Sequence, residues 1–235
     1  MIKVVSFKIC PFVQRMTALL EAKGMDYEVE YIDLSDKPQW FLEISPNGQV
    51  PVLITDSGQT LFESDAIAEY LDDIAPPLQP NLTPEDKALN RAWSYQASKH
   101  YLVQCSAMSS PDSAALVERQ ARLGKAFARA EQVLGDGPYF SGAQLGNVDI
   151  AWLPLLHRAD IIKNRSGHDF LSAYPKVSQW QAALLQTGLA DASVAEDFET
   201  RFARFYLSEK TYLGRGHDRP ETCTPAVRAG GGCCG

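Results

Sequence analysis

A single thiol stands where a helix start could activate it. Ile9-Cys10-Pro11-Phe12-Val13 follows the apolar run Lys3-Val4-Val5-Ser6-Phe7, which reads as a strand. From Pro11 onward, Phe12, Met16, Leu19 and Leu20 recur at helical spacing, and Gly24 stops the pattern. Cys10 therefore falls at a strand-to-helix junction. Proline suits the first helical position through its fixed φ and missing N–H. A thiol there faces unpaired helix N–H groups and the positive end of the helix dipole. Both favour the thiolate, which is the nucleophilic form. The competing reading is a small buried structural residue, the usual fate of a reduced cysteine.

Two further motifs could hold a ligand beside that thiol. Val50-Pro51 leaves a loop and opens a strand, and Pro51 restricts Val50 to extended geometry. A cis bond there would leave the backbone of Val50 outside the sheet ladder, open to an extended peptide; a trans proline at a strand start is the alternative. Glu63-Ser64 opens a helix. The N–H groups of a helix start bind anions, so Ser64 could hold a carboxylate and Glu63 an ammonium. The competing reading of Ser64 is a plain helix cap. A ligand with a carboxylate and an ammonium at one end, a peptide bond in the middle and a sulfur beyond it fits this layout. Glutathione has that description.

The elements that must position these groups alternate at first. Residues 27–32 read as a second strand and 37–44 as a short helix stopped by Pro46 and Gly48. Val52-Leu53-Ile54-Thr55 and Thr60-Leu61-Phe62 flank Asp56-Ser57-Gly58-Gln59, which is hairpin chemistry. Ser64 then caps a helix through Ala66, Ile67, Tyr70 and Leu71. The order β-α-β-α-β-β-α predicts a mixed sheet covered by helices. Ala75-Pro76-Pro77-Leu78-Gln79-Pro80 cannot continue a helix and reads as a linker. Beyond it the pattern is helical, near 85–108, 113–134, 147–162, 177–186 and 195–207, with Thr83 as the first cap. The expected division is a sheet domain over 1–75, a linker over 76–84, an all-helical domain over 85–209 and a mobile Gly- and Cys-containing tail over 210–235.

Composition narrows the function. A net charge of −7 argues against broad nucleic-acid binding, which uses a basic face. No apolar run approaches the roughly 20 residues that span a membrane, and no secretory leader is visible at the N-terminus. Cys10, Cys105, Cys223, Cys233 and Cys234 are few and uneven, which suits a reducing cytoplasm rather than a disulfide framework. Neither these nor His100, His157 and His168 show metal-ligand spacing, so no metal is expected.

Cys10-Pro11-Phe12, Lys37-Pro38-Gln39-Trp40-Phe41, Val50-Pro51 and Glu63-Ser64 together closely resemble the glutathione transferase superfamily. The resemblance runs from the N-terminus to about Leu207 and is nearest to the cysteine-type branch, the omega class and dehydroascorbate-reductase-like members. It implies a thioredoxin-like N-terminal domain, an all-helical C-terminal domain, glutathione as co-substrate and a homodimer. By position, Cys10 would be the catalytic thiol. Phe12 would pack near it, Lys37 would reach the glycyl carboxylate, with a solvated surface lysine as the alternative, and Val50, ahead of Pro51, would pair with the cysteinyl backbone. Glu63 and Ser64 would bind the γ-glutamyl end. Trp93, Tyr95 and Tyr101 would line an electrophile pocket, with core packing and the domain interface as the alternatives, and Phe198, Phe202 and Phe205 would close its far wall. Where the family has Ser or Thr three residues before Asp149, this chain has Gly146, so a weaker helix start is expected there.

Position 13 is valine, so Cys10 has no resolving thiol in its own turn. A Cys10–glutathione disulfide would need a thiol from outside, and a second glutathione is the natural one. This favours thiol transfer, dehydroascorbate reduction or removal of glutathione from conjugates. The alternatives are conventional conjugation, for which Ser6 and Tyr27 are displaced from the helix start, and a non-catalytic regulatory protein on the same fold. Cys223, Cys233 and Cys234, with His217, read mainly as a passive tail, with redox or metal roles as alternatives; Cys105 reads as buried packing.

Overall fold

The computed structural model describes residues 1–216. The expectations for His217, Cys223, Cys233 and Cys234 lie outside the described residues. Strand β1 (Ile2–Ser6) leads into α1 (Pro11–Ala22), β2 (Tyr27–Tyr31), α2 (Gln39–Ile44), β3 (Val52–Ile54), β4 (Thr60–Phe62) and α3 (Ser64–Ile74). The sheet order is β2-β1-β3-β4. β1 and β2 run parallel with Val4 opposite Val29, because the α1 crossover returns the chain to the same end. β3 pairs antiparallel with both β1 and β4, with Leu53 opposite Val4 and Leu61. This is the mixed, helix-covered sheet that the alternating pattern predicts.

The helical part is α4 (Pro84–Met108), α5 (Ser113–Val133), α6 (Asn147–Ser166), α7 (Pro175–Gln186), α8 (Leu189–Ala192), α9 (Phe198–Tyr206) and α10 (Tyr212–Arg215). No helix among the described residues is long and apolar enough to cross a membrane. The α4 start is fixed by a full capping box. The Asp86 N–H donates to Thr83 Oγ1 at 3.1 Å, and the Thr83 N–H donates to Asp86 Oδ2 at 3.3 Å.

Three sequence boundaries are corrected. The second helix begins at Gln39, not 37, because Pro38 keeps an extended ψ of 146°. The last long helix begins at Phe198, not 195. Residues 210–216 do not behave as tail: α10 buries Leu213, and the Thr211 hydroxyl caps it by accepting from the Gly214 N–H at 3.1 Å.

Two helices are buried on nearly every face and join the halves of the molecule. α1 buries Val13, Gln14, Arg15, Met16, Thr17, Ala18, Leu19 and Leu20, and it packs against α3 of the first part and against α6, α8 and α4 of the second. A helix buried all round belongs to an interior, not a surface. The α1–α6 seam is polar as well as apolar. Gln14 Nε2 lies 2.8 Å from His157 Nδ1, and Thr17 Oγ1 donates to the Ser193 carbonyl at 2.6 Å.

Candidate active site

Cys10 is the N-cap of α1, in extended geometry (φ −72°, ψ 122°), and Pro11 is the first helical residue. Its carbonyl accepts from the Gln14 N–H at 3.1 Å, and its own N–H donates to the Phe7 carbonyl at 3.2 Å. The thiol is thereby held at the positive end of the α1 dipole, and the residue is only 3% exposed. Among the described residues the other cysteine is Cys105, buried in the last turn of α4, and neither is in a disulfide.

A cavity of about 190 Å³ opens beside this helix start. Three segments build most of it. The first is the loop before β3, with Ser45, Asn47, Gln49, Val50 and Pro51. Ser45 staples that loop, since its hydroxyl donates to the Gln49 carbonyl at 2.9 Å and accepts the Gln49 N–H at 3.0 Å. Gly48 turns it with φ +59°, a conformation glycine adopts without penalty. The Val50–Pro51 bond is cis, and Val50 lies outside the β3 ladder, which begins at Val52. The second segment is the end of β4 and the start of α3: Phe62, Glu63, Ser64 and Asp65. The third is Phe12 from α1 with Leu102 from α4 facing it across the opening.

Ser64 is not the cap of α3 as the sequence suggests. Glu63 is the N-cap, with φ +67° and ψ 112°, and Ser64 is the first helical residue. The Glu63 side chain makes no cap bond to this helix start, and Glu63, Ser64 and Asp65 line the cavity there. The next residue is tied down: the Asp65 carboxylate accepts from Arg15 and from Ser98 Oγ at 3.2 and 3.3 Å. That arrangement locks α3 to α1 and α4.

Of the residues singled out from sequence, Phe12, Val50, Pro51, Glu63 and Ser64 meet on the cavity wall. Cys10 and Lys37 are not on it. Lys37 Nζ stands 3.9 Å from where a Cβ on Gly48 would lie. Trp93, Tyr95, Tyr101 and Phe198 also lie off the wall. The Trp93 ring packs on Phe140, and the Tyr95 hydroxyl donates to Glu69 at 3.3 Å. Tyr101 is fully buried, donates to the Ala151 carbonyl and meets Phe12 edge-on at 5.0 Å. Phe198 stacks between His157 and Phe202, and Phe205 is exposed. Sequence reasoning assigned no role to Asn47, Gln49, Asp65 or Leu102. Asp65 had a signal in the Glu-Ser-Asp run; Leu102 had none, because only packing decides which face of α4 meets the opening.

A thioredoxin-like sheet domain with a cysteine at its first helix start, joined to a helical domain, is a glutathione-transferase architecture. The glutathione S-transferase N-terminal domain model matches residues 9–74, and the C-terminal domain model matches 113–183. Glutathione S-transferase omega-1 of Sus scrofa is 30% identical over 228 residues, 95% of this chain and 89% of that protein. A probable cytosolic glutathione S-transferase DHAR1 of Oryza sativa is 31% identical over 153 residues, 65% of this chain and 68% of that one. Among solved structures, glutathione transferase Omega 3C of Trametes versicolor superposes with a TM-score of 0.71 at 28% identity, covering 83% of this chain and 89% of that one. The chain belongs to the glutathione S-transferase family, and its relatives include omega-class and DHAR members.

Proposed function

We propose that this glutathione transferase works through Cys10 as a nucleophile in glutathione-dependent thiol transfer or reduction. The observation that carries the reading is the placement of Cys10 as N-cap of α1, two residues before Phe12 on the wall of the Val50–Glu63–Ser64 cavity. The Cys10 thiolate attacks the glutathione sulfur of a mixed disulfide or conjugate. A Cys10–S–S–glutathione bond forms; a disulfide substrate leaves as its thiolate and a conjugate leaves as its carbanion, each taking a proton. The thiolate of a second glutathione then attacks that bond, releasing oxidised glutathione and restoring the Cys10 thiolate. The balance is one mixed disulfide plus one glutathione giving one substrate thiol plus one oxidised glutathione. Val13 stands where a resolving cysteine would be, which supports the external second step.

In this reading Val50 holds the cysteinyl backbone, while Glu63 takes the γ-glutamyl ammonium and Ser64 and the α3 N–H groups its carboxylate. Lys37, near Gly48, reaches the glycyl carboxylate. Residues 1–75 hold glutathione, the helices over 85–209 hold the second substrate, and the protein is a cytoplasmic homodimer. The test is mass spectrometry after exposure to oxidised glutathione, with activity assays of Cys10→Ser. A glutathione adduct on Cys10 and loss of disulfide and dehydroascorbate reduction in the variant are expected. Unchanged reduction by Cys10→Ser defeats the reading.

A further inference from the structure

Arg158 on α6 is fully buried, and its hydrogen bonds converge on the segment that carries Cys10. Its Nη2 donates to the Ile9 carbonyl at 3.2 Å, one residue before the thiol. Its Nη1 donates to Gln14 Oε1, in the first turn of the helix that Cys10 caps, and to the Pro154 carbonyl at 3.0 Å. These acceptors are all neutral. Among the described residues Arg158 makes no ion pair with a carboxylate; its guanidinium stands 5.3 Å from the centre of the Phe198 ring, also a neutral partner, and its Nε is buried with no hydrogen-bond acceptor. A guanidinium stays charged in proteins, and an unpaired buried charge is strongly unfavourable. The site therefore calls for an anion.

The neighbours identify which one. From α1, Arg15 is already paired with Asp65 of α3. From the loop after β1, Lys8 is paired with Asp197. From α6 itself, His157 is kept neutral by burial. The ionisable groups whose charge Arg158 feels are, strongest first, Cys105 of α4, Tyr206 of α9, Cys10 and Tyr101 of α4. Tyr101 is pushed far above physiological pH by its burial, so it supplies no charge. Of the two thiols, Cys105 lies in the last turn of α4, at the negative end of that helix's dipole. Cys10 has the α1 helix start, and its backbone neighbour is bonded directly to Arg158.

Resting on the reading of Cys10 as nucleophile, we infer that Arg158 is the counter-cation of the Cys10 thiolate, a positioning residue reaching the reaction from α6 through the α1–α6 seam. The thiol proton leaves to solvent, and the charge it leaves behind compensates the buried guanidinium. The helical domain would then help set the reactivity of the sheet domain's cysteine.

The test follows iodoacetamide alkylation of Cys10 by peptide mass spectrometry across pH in the full chain. Compared are the parent protein, Arg158→Met, Arg158→Lys and Gln14→Glu. Arg158→Met is expected to raise the pH midpoint by at least about one unit, a roughly tenfold loss of thiolate below the midpoint. Gln14→Glu gives Arg158 a carboxylate partner without removing any bulk, and it is expected to raise the midpoint as well. Arg158→Lys keeps the charge and is expected to retain most of the parent behaviour. If Arg158 were only a packing bolt, Arg158→Lys would shift the midpoint as far as Arg158→Met does. An unchanged midpoint in Gln14→Glu, or in folded Arg158→Met, overturns the inference, as does a shift confined to Cys105. Failure of the underlying reading looks different: the parent Cys10 then titrates at about the ordinary thiol value of 8.5.

Discussion

Glu63 is held at φ +67° in a chain position that any residue except glycine resists. Such a conformation costs about 1–3 kcal/mol and persists where the surroundings over-determine it. The residue is exposed and lies on the cavity wall, with Asn47 Nδ2 3.5 Å from its carboxylate. The strain and the charge can be separated. Glu63→Gly relieves the backbone and is expected to raise stability by about 1 kcal/mol in urea unfolding. It also removes the carboxylate proposed for the glutathione ammonium, so the KM for glutathione is expected to rise by about tenfold or more. Glu63→Gln keeps the strained backbone and is expected to raise KM without any gain in stability. Equal stability of the parent and Glu63→Gly would show that the fold does not carry this strain. The Glu63-Ser64 pair was legible in the sequence because both residues act through one local feature, the start of a helix. Its exact register was not: Ser64 looks like a cap, and only the backbone angle shows that Glu63 holds that place.

At the level of elements, the start of α6 shows a local rule overridden by a distant residue. Gly146 is the N-cap and offers no side chain. Asp149, three residues on, supplies the return half of the box, accepting from the Gly146 N–H at 2.7 Å. It also accepts from the Phe140 N–H at 2.8 Å and from Trp180 Nε1 at 2.7 Å. A Cβ on Gly146 would fall 2.4 Å from Gln79 Oε1. Gln79, from the proline-rich linker, occupies the volume a Ser or Thr cap would need. It is held there by donating to the Gln144 carbonyl at 3.1 Å and accepting from Asn90 at 3.3 Å. Gly146→Ser restores the family pattern and gains a few tenths of a kcal/mol of capping, but displaces Gln79 and its bonds at about 1 kcal/mol each. Thermal unfolding is expected to show a lower Tm for Gly146→Ser. In a Gln79→Ala background the same substitution is expected to become neutral or stabilising, a coupling that a double-mutant cycle reads directly. A lower Tm of equal size in both backgrounds sinks the account. The departure at Gly146 was plain in the sequence; its compensation 67 positions away was not, because no periodicity links a linker residue to a helix start. For the same reason Cys10-Pro11 and Val50-Pro51 could be read locally, whereas Leu102 and Arg158 acquire their meaning only when α4 and α6 pack on the sheet domain.

Across the whole molecule, two buried ionisable groups set opposing responses to pH. Burial raises the Asp149 carboxyl from 3.8 to about 6, against the pull of its three donors. Burial, with Arg158 adjacent, lowers the His157 imidazole from 6.5 to about 3. For Asp149 the folded state holds its proton more tightly than the unfolded chain. Its contribution is fully present below pH 3.8 and is lost as pH rises toward 6. For His157 the unfolded chain holds the proton more tightly. Its contribution is present above pH 6.5 and is lost as pH falls toward 3. Each pH unit within its window is worth up to about 1.4 kcal/mol per group, so the two slopes largely cancel between about pH 4 and 6. Single variants uncover them. Chemical unfolding of Asp149→Asn, taken as a difference from the parent, is expected to show stability rising with pH between 4 and 6. The same difference for His157→Gln, which keeps an acceptor for Gln14, is expected to fall with pH from about 3 to 6.5. Difference curves that are flat in both variants would mean that neither group titrates abnormally. Curves of the same sign would mean that one assignment is reversed. The His157 arm carries further, because His157 shares the α1–α6 seam with Gln14 and Arg158. Protonating it places a second cation in that seam, so acid should loosen the joint between the two halves before the sheet itself unfolds. Hydrogen exchange at pH 4 is therefore expected to show amides of α1 and α6 opening ahead of those of β1 and β3, and in His157→Gln that order is expected to disappear.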